Sequence, residues 1–186
     1  MSRFNFTNTS IRGLKLVGRR RLQDKRGFFE RVFCDREMGS VLGSRSVVQI
    51  NRTFTARRGA VRGLHFQHPP NAEMKIVTCL KGEIFDVVVD LRQGSSSFLQ
   101  SHAVRLSAQD GNMLVVPEGF AHGFQALTRD CELMYLHTAH YASAAEDGLN
   151  ALDPKLAITW PIAVTDLSDR DKNHPMIHAG FSGLVL

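Results

Sequence analysis

From Met74 to Thr138 the chain is a succession of short, β-branched, largely apolar runs, each closed by a cluster of turn-forming residues. Such runs bury one face against another sheet, which restricts the chain to an all-β sandwich or barrel. MKIVTCL (residues 74–80) and IFDVVVD (84–90) flank Lys81-Gly82-Glu83 and read as the two arms of a hairpin. In the second arm Phe85, Val87 and Val89 share one face, and Ile84, Asp86, Val88 and Asp90 share the other. Further strands are predicted at 101–106, 113–116, 121–127 and 132–138, separated by breaks at 93–97, 109–112 and 128–130. Helical signal is confined to Asp35 to Leu42, Ser143 to Gly148 and a turn over 167–171. From Asp153-Pro154 onward the chain is turn-rich and carries Pro161 and Pro175, so this part is expected to wrap the barrel rather than enter it.

A chain of 186 residues suits one core, and a single unit over 1–186 is expected. The net charge of +5 favours anionic partners. Its basic runs, Arg19-Arg20-Arg21 and Arg57-Arg58, are short and lack the interleaved aromatics of a base-stacking surface, so a small phosphorylated or nucleotide-linked metabolite is expected rather than nucleic acid. Cys34, Cys79 and Cys131 match neither a zinc knuckle nor a redox pair and read as reduced cytoplasmic thiols. No segment reads as a signal peptide or bilayer span, and no membrane association is expected.

Arg62-Gly63-Leu64-His65-Phe66-Gln67, Lys75 and Pro117-Glu118-Gly119-Phe120-Ala121-His122-Gly123-Phe124 place ionisable groups on strand-like segments. Pointed into one cavity, such groups suit proton transfer on an anionic substrate. The spacing of Gly111, Pro117, Gly119 and His122 resembles the second motif of cupins, a jelly-roll superfamily. A metal reading would need His65, Glu73 and His122 to converge, although His65 and His68, three apart on a strand, face opposite ways. Without metal, His65 can serve as a base near neutral pH or as a structural donor to a carbonyl. Arg62 and His65 share a cavity only if a bulge intervenes between them. Tyr135 and Tyr141 are the chain's only tyrosines, each at or just beyond a strand end. Lys75 is either an edge-strand lysine or an inward one that needs an anionic partner, and Asp171 alone reads as a solvated turn residue.

Six segments occur in an order and spacing that resemble the dTDP-4-dehydrorhamnose 3,5-epimerase family. They are Asp24-Lys25-Arg26-Gly27-Phe28-Phe29-Glu30, Gln49-Ile50-Asn51, Arg62-Gly63-Leu64-His65, residues 82–90, residues 117–124, and Asp153-Pro154 before Trp160-Pro161. The resemblance runs from Ile11 to the C-terminus. It implies a cupin-type double-stranded β-helix (jelly roll), a homodimer in which each subunit contributes N-terminal strand, and a nucleotide-sugar substrate. It also implies inversion of carbon 3, carbon 5 or both in a 4-keto-6-deoxyhexose, with no cofactor and no metal. By the family pattern His65 is the base, Asp171 its carboxylate partner, Tyr135 the opposite-face acid and Lys75 the oxyanion contact. Arg26 and Arg62 would take diphosphate oxygens. Phe29, Glu30, Gln49 and Asn51 would line the nucleotide end, with Tyr141, Glu146 and His122 as further substrate contacts. The chain departs from the pattern at Phe66, at Met74 to Thr78, at Leu136-His137 where a lysine and threonine are usual, and at Ala151-Leu152. These changes spare the proposed acid, base and oxyanion groups but leave the regiochemistry open. Two other classes remain: a metal-dependent cupin enzyme and a non-catalytic sugar-nucleotide binding module.

Overall fold

The structure, a computed structural model, describes residues 2–186. Thirteen strands are described: β1 (Phe4–Asn8), β2 (Lys15–Arg19), β3 (Arg21–Asp24), β4 (Gly27–Glu30), β5 (Gln49–Thr55), β6 (Val61–Gln67), β7 (Lys75–Lys81), β8 (Glu83–Asp90), β9 (Ser101–Ser107), β10 (Met113–Val116), β11 (Phe120–Ala126), β12 (Cys131–His137) and β13 (Glu146–Gly148). Two short helices, α1 (Asp35–Leu42) and α2 (Asp169–Lys172), accompany them. A six-stranded sheet in the order β1-β2-β10-β7-β12-β5 faces a five-stranded sheet in the order β13-β6-β11-β8-β9, while β3 and β4 form a separate two-stranded ribbon. All strand pairings within these sheets are antiparallel, and the two large sheets make the expected jelly roll.

Three apolar layers explain why so many strands are buried on both faces. Between the sheets lie Val77, Ile84, Val88, Leu114, Phe124 and Leu133. Outside the six-stranded sheet, Met38 and Leu42 of α1 pack on Val17, Ile76, Met113 and Leu136. Outside the five-stranded sheet, Leu156, Ile177 and Leu184 of the C-terminal segment cover Leu64, Phe66, Val89 and Ala121, with Trp160 and Phe181 beside them. The tail also bridges Ala60 to Asp166 and Arg92 to Leu184, so it wraps the barrel as expected. Full burial of one side chain such as Phe124 contributes about 1.5–3 kcal/mol.

Two local expectations are corrected. The hairpin around Lys81-Gly82-Glu83 does not form, because β7 belongs to the six-stranded sheet and β8 to the five-stranded one. Both strands are buried over successive residues, so each is covered on both faces within its own sheet and Gly82 is a corner between sheets. Gly82 takes φ +80°, where a Cβ would lie 2.4 Å from Thr128 Oγ1. The helix expected over Ser143 to Gly148 is instead a turn leading into β13, whose backbone pairs with the edge of β6 from Glu146↔Gln67 to Gly148↔His65. The other helical segments stand: α1 spans the predicted residues, and Ser168 caps α2, accepting from the Asp171 N–H.

Candidate active site

The inner face at one end of the six-stranded sheet is set by strand register. On β12, Tyr135 and His137 point the same way, and they lie opposite Val77 and Lys75 of β7 and Asn51 and Gln49 of β5. The five-stranded sheet answers with His65 on β6 and His122 on β11, which are direct cross-strand partners. Except for Val77, which is core, these side chains line one cavity of about 330 Å³, together with Arg62, Tyr141, Glu146 and Arg170. Its size and mixed lining suit a small polar ligand.

The bulge needed to bring Arg62 and His65 together is present. Between β6 and β11 the register moves from His65↔His122 to Arg62↔Phe124, three steps on one strand against two on the other. Gly63 makes this possible: it adopts φ +126°, and a Cβ there would stand 2.5 Å from Gly123 Cα. Both side chains thereby line the same cavity.

His65 Nε2 lies 2.8 Å from Asp171 Oδ1, and Asp171 Oδ2 accepts the Gly63 N–H at 3.2 Å. With Nε2–H donating to the carboxylate, Nδ1 holds the lone pair and has no hydrogen-bond partner among the described residues. Asp171 is 3% exposed, not solvated. Burial pushes its carboxyl up, but the hydrogen bond and charge of His65 and the Gly63 N–H outweigh this and hold it at about 2. On the opposite wall Tyr135 is buried between the rings of His122 (centroids 5.9 Å, edge-on) and His137 (6.0 Å, nearly parallel). Burial and the nearby Asp86 charge raise its phenol well above the ordinary range, which keeps the proton on oxygen. Lys75 turns inward: its Nζ sits 3.2 Å from Glu73 Oε1 and 3.4 Å from the His65 carbonyl. An imidazole base, a protonated phenol and an ammonium thus meet in one space, as proton abstraction next to a carbonyl requires.

Other expected contacts lie at the mouth. Tyr141 donates its hydroxyl to Glu146 at 2.8 Å, and Gln49 accepts the Tyr141 N–H at 3.1 Å. Arg170 donates to Glu146 at 2.9 Å, and its guanidinium lies 3.1 Å from His65 Nε2 without a hydrogen bond to it, because that nitrogen's proton is given to Asp171. Three expected residues are elsewhere. Arg26, with Phe29, lies in a separate groove on the β3–β4 ribbon and pairs with Asp24, while Glu30 is committed to Arg19 and Arg21. Three residues in or behind the cavity wall, Asp86, His137 and Arg170, are not expected from the sequence as parts of the site. Asp86, fully buried, pairs with His122 at 2.7 Å; the alternation in β8 already set it on the same face as Ile84 and Val88. His137 and Arg170 carry no comparable signal, because their directions depend on partners distant in sequence.

The metal set His65, Glu73 and His122 does not converge, since the three groups are engaged by Asp171, His137 with Lys75, and Asp86 respectively. Among the described residues the grouping with ligand atoms within 4.8 Å of one another is His65, Asp171 and His174. Arg170 brings a guanidinium to 3.1 Å from His65 there, which opposes a dication.

Comparison with known proteins agrees with this geometry. The profile of the family described as dTDP-4-dehydrorhamnose 3,5-epimerase matches residues 8–179. The dTDP-4-dehydrorhamnose 3,5-epimerase of Sinorhizobium fredii is 39% identical over 173 residues, covering 92% of this chain and 89% of that protein. The dTDP-4-dehydrorhamnose 3-epimerase of Streptomyces niveus is 38% identical, covering 81% of this chain and 72% of that protein. The dTDP-6-deoxy-D-glucose-3,5-epimerase of Legionella pneumophila, solved with dTDP-4-keto-L-rhamnose, superposes with a TM-score of 0.91 at 35% identity, covering 98% of this chain and 99% of that one. With the jelly roll, the facing imidazole and phenol, and these likenesses in hand, the chain belongs to the dTDP-4-dehydrorhamnose 3,5-epimerase family of isomerases.

Proposed function

We propose that the protein inverts carbon 3, carbon 5 or both of a dTDP-linked 4-keto-6-deoxyhexose in deoxysugar biosynthesis. The observation that carries this is the placement of His65 and Tyr135 on facing sheets of one cavity, with Lys75 in the same lining. The 4-keto group acidifies the hydrogens on both neighbouring carbons. His65 takes one of them at Nδ1, and the Asp171 carboxylate stabilises the imidazolium that results. Negative charge moves onto the keto oxygen, where the Lys75 ammonium strengthens its contact as the charge grows. Tyr135 then gives its proton to the carbon from the other face, inverting the centre. Arg62 takes diphosphate oxygens with its fixed guanidinium fork. Gln49, Asn51, Tyr141 and Glu146 hold the nucleotide end, and His122, oriented by Asp86, contacts the sugar.

The working form in this reading is a homodimer. Arg26 and Phe29 belong to an exposed ribbon that also presents Phe28 and Leu22, and they serve the cavity of a second copy rather than their own. Among the described residues no helix is long and apolar enough to cross a membrane. The three unpaired cysteines suit a reducing compartment, and the reading places the protein in the cytoplasm. Purified protein given dTDP-4-keto-6-deoxy-D-glucose and followed by proton NMR should produce a new diastereomer, and His65→Asn should abolish its appearance. An unchanged sugar spectrum with authentic substrate would defeat the proposal.

A further inference from the structure

Glu73 and His137 sit in the cavity wall, and neither has a part in the mechanism above. Glu73 precedes β7, and its nearly buried carboxylate accepts from two donors: His137 Nδ1 at 2.7 Å on Oε2 and Lys75 Nζ at 3.2 Å on Oε1. Burial pushes this carboxyl up, but the His137 hydrogen bond and the Lys75 charge outweigh it, so Glu73 stays ionised. The contact fixes Nδ1 of His137 as the protonated nitrogen and leaves Nε2 to accept from Asn51 Nδ2 at 3.3 Å. Held at both nitrogens, the imidazole lies 28° from parallel to the Tyr135 ring, centroids 6.0 Å apart.

One carboxylate therefore touches the ammonium directly and the phenol through a clamped ring. We propose that Glu73 and His137 are a positioning pair that holds the Lys75 ammonium and the Tyr135 ring at a fixed separation. The inference rests on the roles given above to Lys75 and Tyr135 and deepens them. Lysine is a point charge on a flexible four-carbon stem, and its value to a developing oxyanion depends on where that charge is held. The acid has the same requirement, since misplacing a reacting group by 1 Å lowers the rate on the order of 10²-fold. A pair that acts only on position lowers kcat and leaves substrate affinity nearly intact.

Glu73→Gln tests the pair with little change of shape. The amide offers one acceptor oxygen where two donors converge, so either Lys75 or His137 is released. The expected result is a kcat about 10- to 100-fold lower with KM within about threefold of wild type. His137→Ala should behave alike, and the double variant should be no slower than the worse single one, because the two residues act as a unit. Side-chain ¹⁵N NMR of labelled, ligand-free protein gives a readout that needs no substrate: a slowly exchanging His137 Nδ1–H in wild type that disappears in Glu73→Ala, which removes both acceptor oxygens. Wild-type kcat in Glu73→Gln, a loss carried by KM alone, or additive single effects would each overturn the pairing while leaving the epimerase reading intact. If wild type shows the Nδ1–H signal but inserts no deuterium into the sugar, the epimerase reading fails, and the catalytic purpose of the pair fails with it.

Discussion

Asp171 accepts from His65 at 2.8 Å and from the Gly63 N–H at 3.2 Å, which ties it both to the proposed proton transfer and to acid stability. Asp171→Asn keeps the side-chain shape but removes the charge that sets the His65 tautomer and stabilises its imidazolium. Its kcat is expected to fall about 10²- to 10⁴-fold, measured by sugar turnover at neutral pH. Asp171 and Asp90 are both held at about 2: in each, burial raises the carboxyl but hydrogen bonds outweigh it, from His65 and Gly63 in the first and from Arg92, Ser95 and Ser97 in the second. Because these folded values lie below the unfolded one, the stability they contribute is present above about pH 4 and is lost as pH falls towards 2. Urea midpoints recorded from pH 5 to pH 2 should therefore drop, and Asp90→Asn should be less stable at pH 7 yet flatter across that range. Asp171 illustrates what a sequence withholds at this scale. Its residue type and polar surroundings describe a solvated turn, and only the return of α2 onto β6 buries it against a histidine more than a hundred positions away.

At the scale of elements, β6 lends the most residues to the cavity, and its irregular register is part of the reason. The extra residue between His65 and Arg62 turns both side chains into the cavity, and Gly63 is where the strands come closest. Gly63→Ala would place a methyl group 2.5 Å from Gly123 Cα and 2.8 Å from the His122 carbonyl at a φ of +126°. It is expected to destabilise the fold by at least about 3 kcal/mol, read from chemical denaturation, and to lower activity further in whatever remains folded. Strand positions were legible because period-two apolar alternation is local: β9, β10, β11 and β12 lie within a residue or so of the predicted runs. Pairing was not legible. MKIVTCL-KGE-IFDVVVD has the signature of a hairpin, yet Gly82 turns the chain from one sheet to the other, a choice made by which neighbours cover each strand. β13 was missed for a related reason, since three residues gain strand form only from the open edge of β6.

For the whole molecule, the ribbon of β3 and β4 poses the main question. Phe28 and Phe29 are both more than half exposed, and among the described residues Arg26 is paired only with Asp24, in a groove separate from the cavity. The proposed dimer gives these residues a function in the other subunit. Co-expressed His65→Asn and Arg26→Ala chains should then recover about a quarter of wild-type turnover, because half of random dimers are mixed and each mixed dimer holds one intact site. Absence of recovery in verified mixed dimers would mean that Arg26 does not act across subunits. Beneath that question lies the claim that one cavity removes a proton from one face of the sugar and returns it to the other. Incubation in deuterated water with dTDP-4-keto-6-deoxy-D-glucose, read by NMR and mass spectrometry, tests it most directly. Deuterium is predicted at carbon 3, carbon 5 or both, with inversion at the labelled centre and none of either in His65→Asn. Wild-type protein that leaves both positions protiated on authentic substrate would contradict the account.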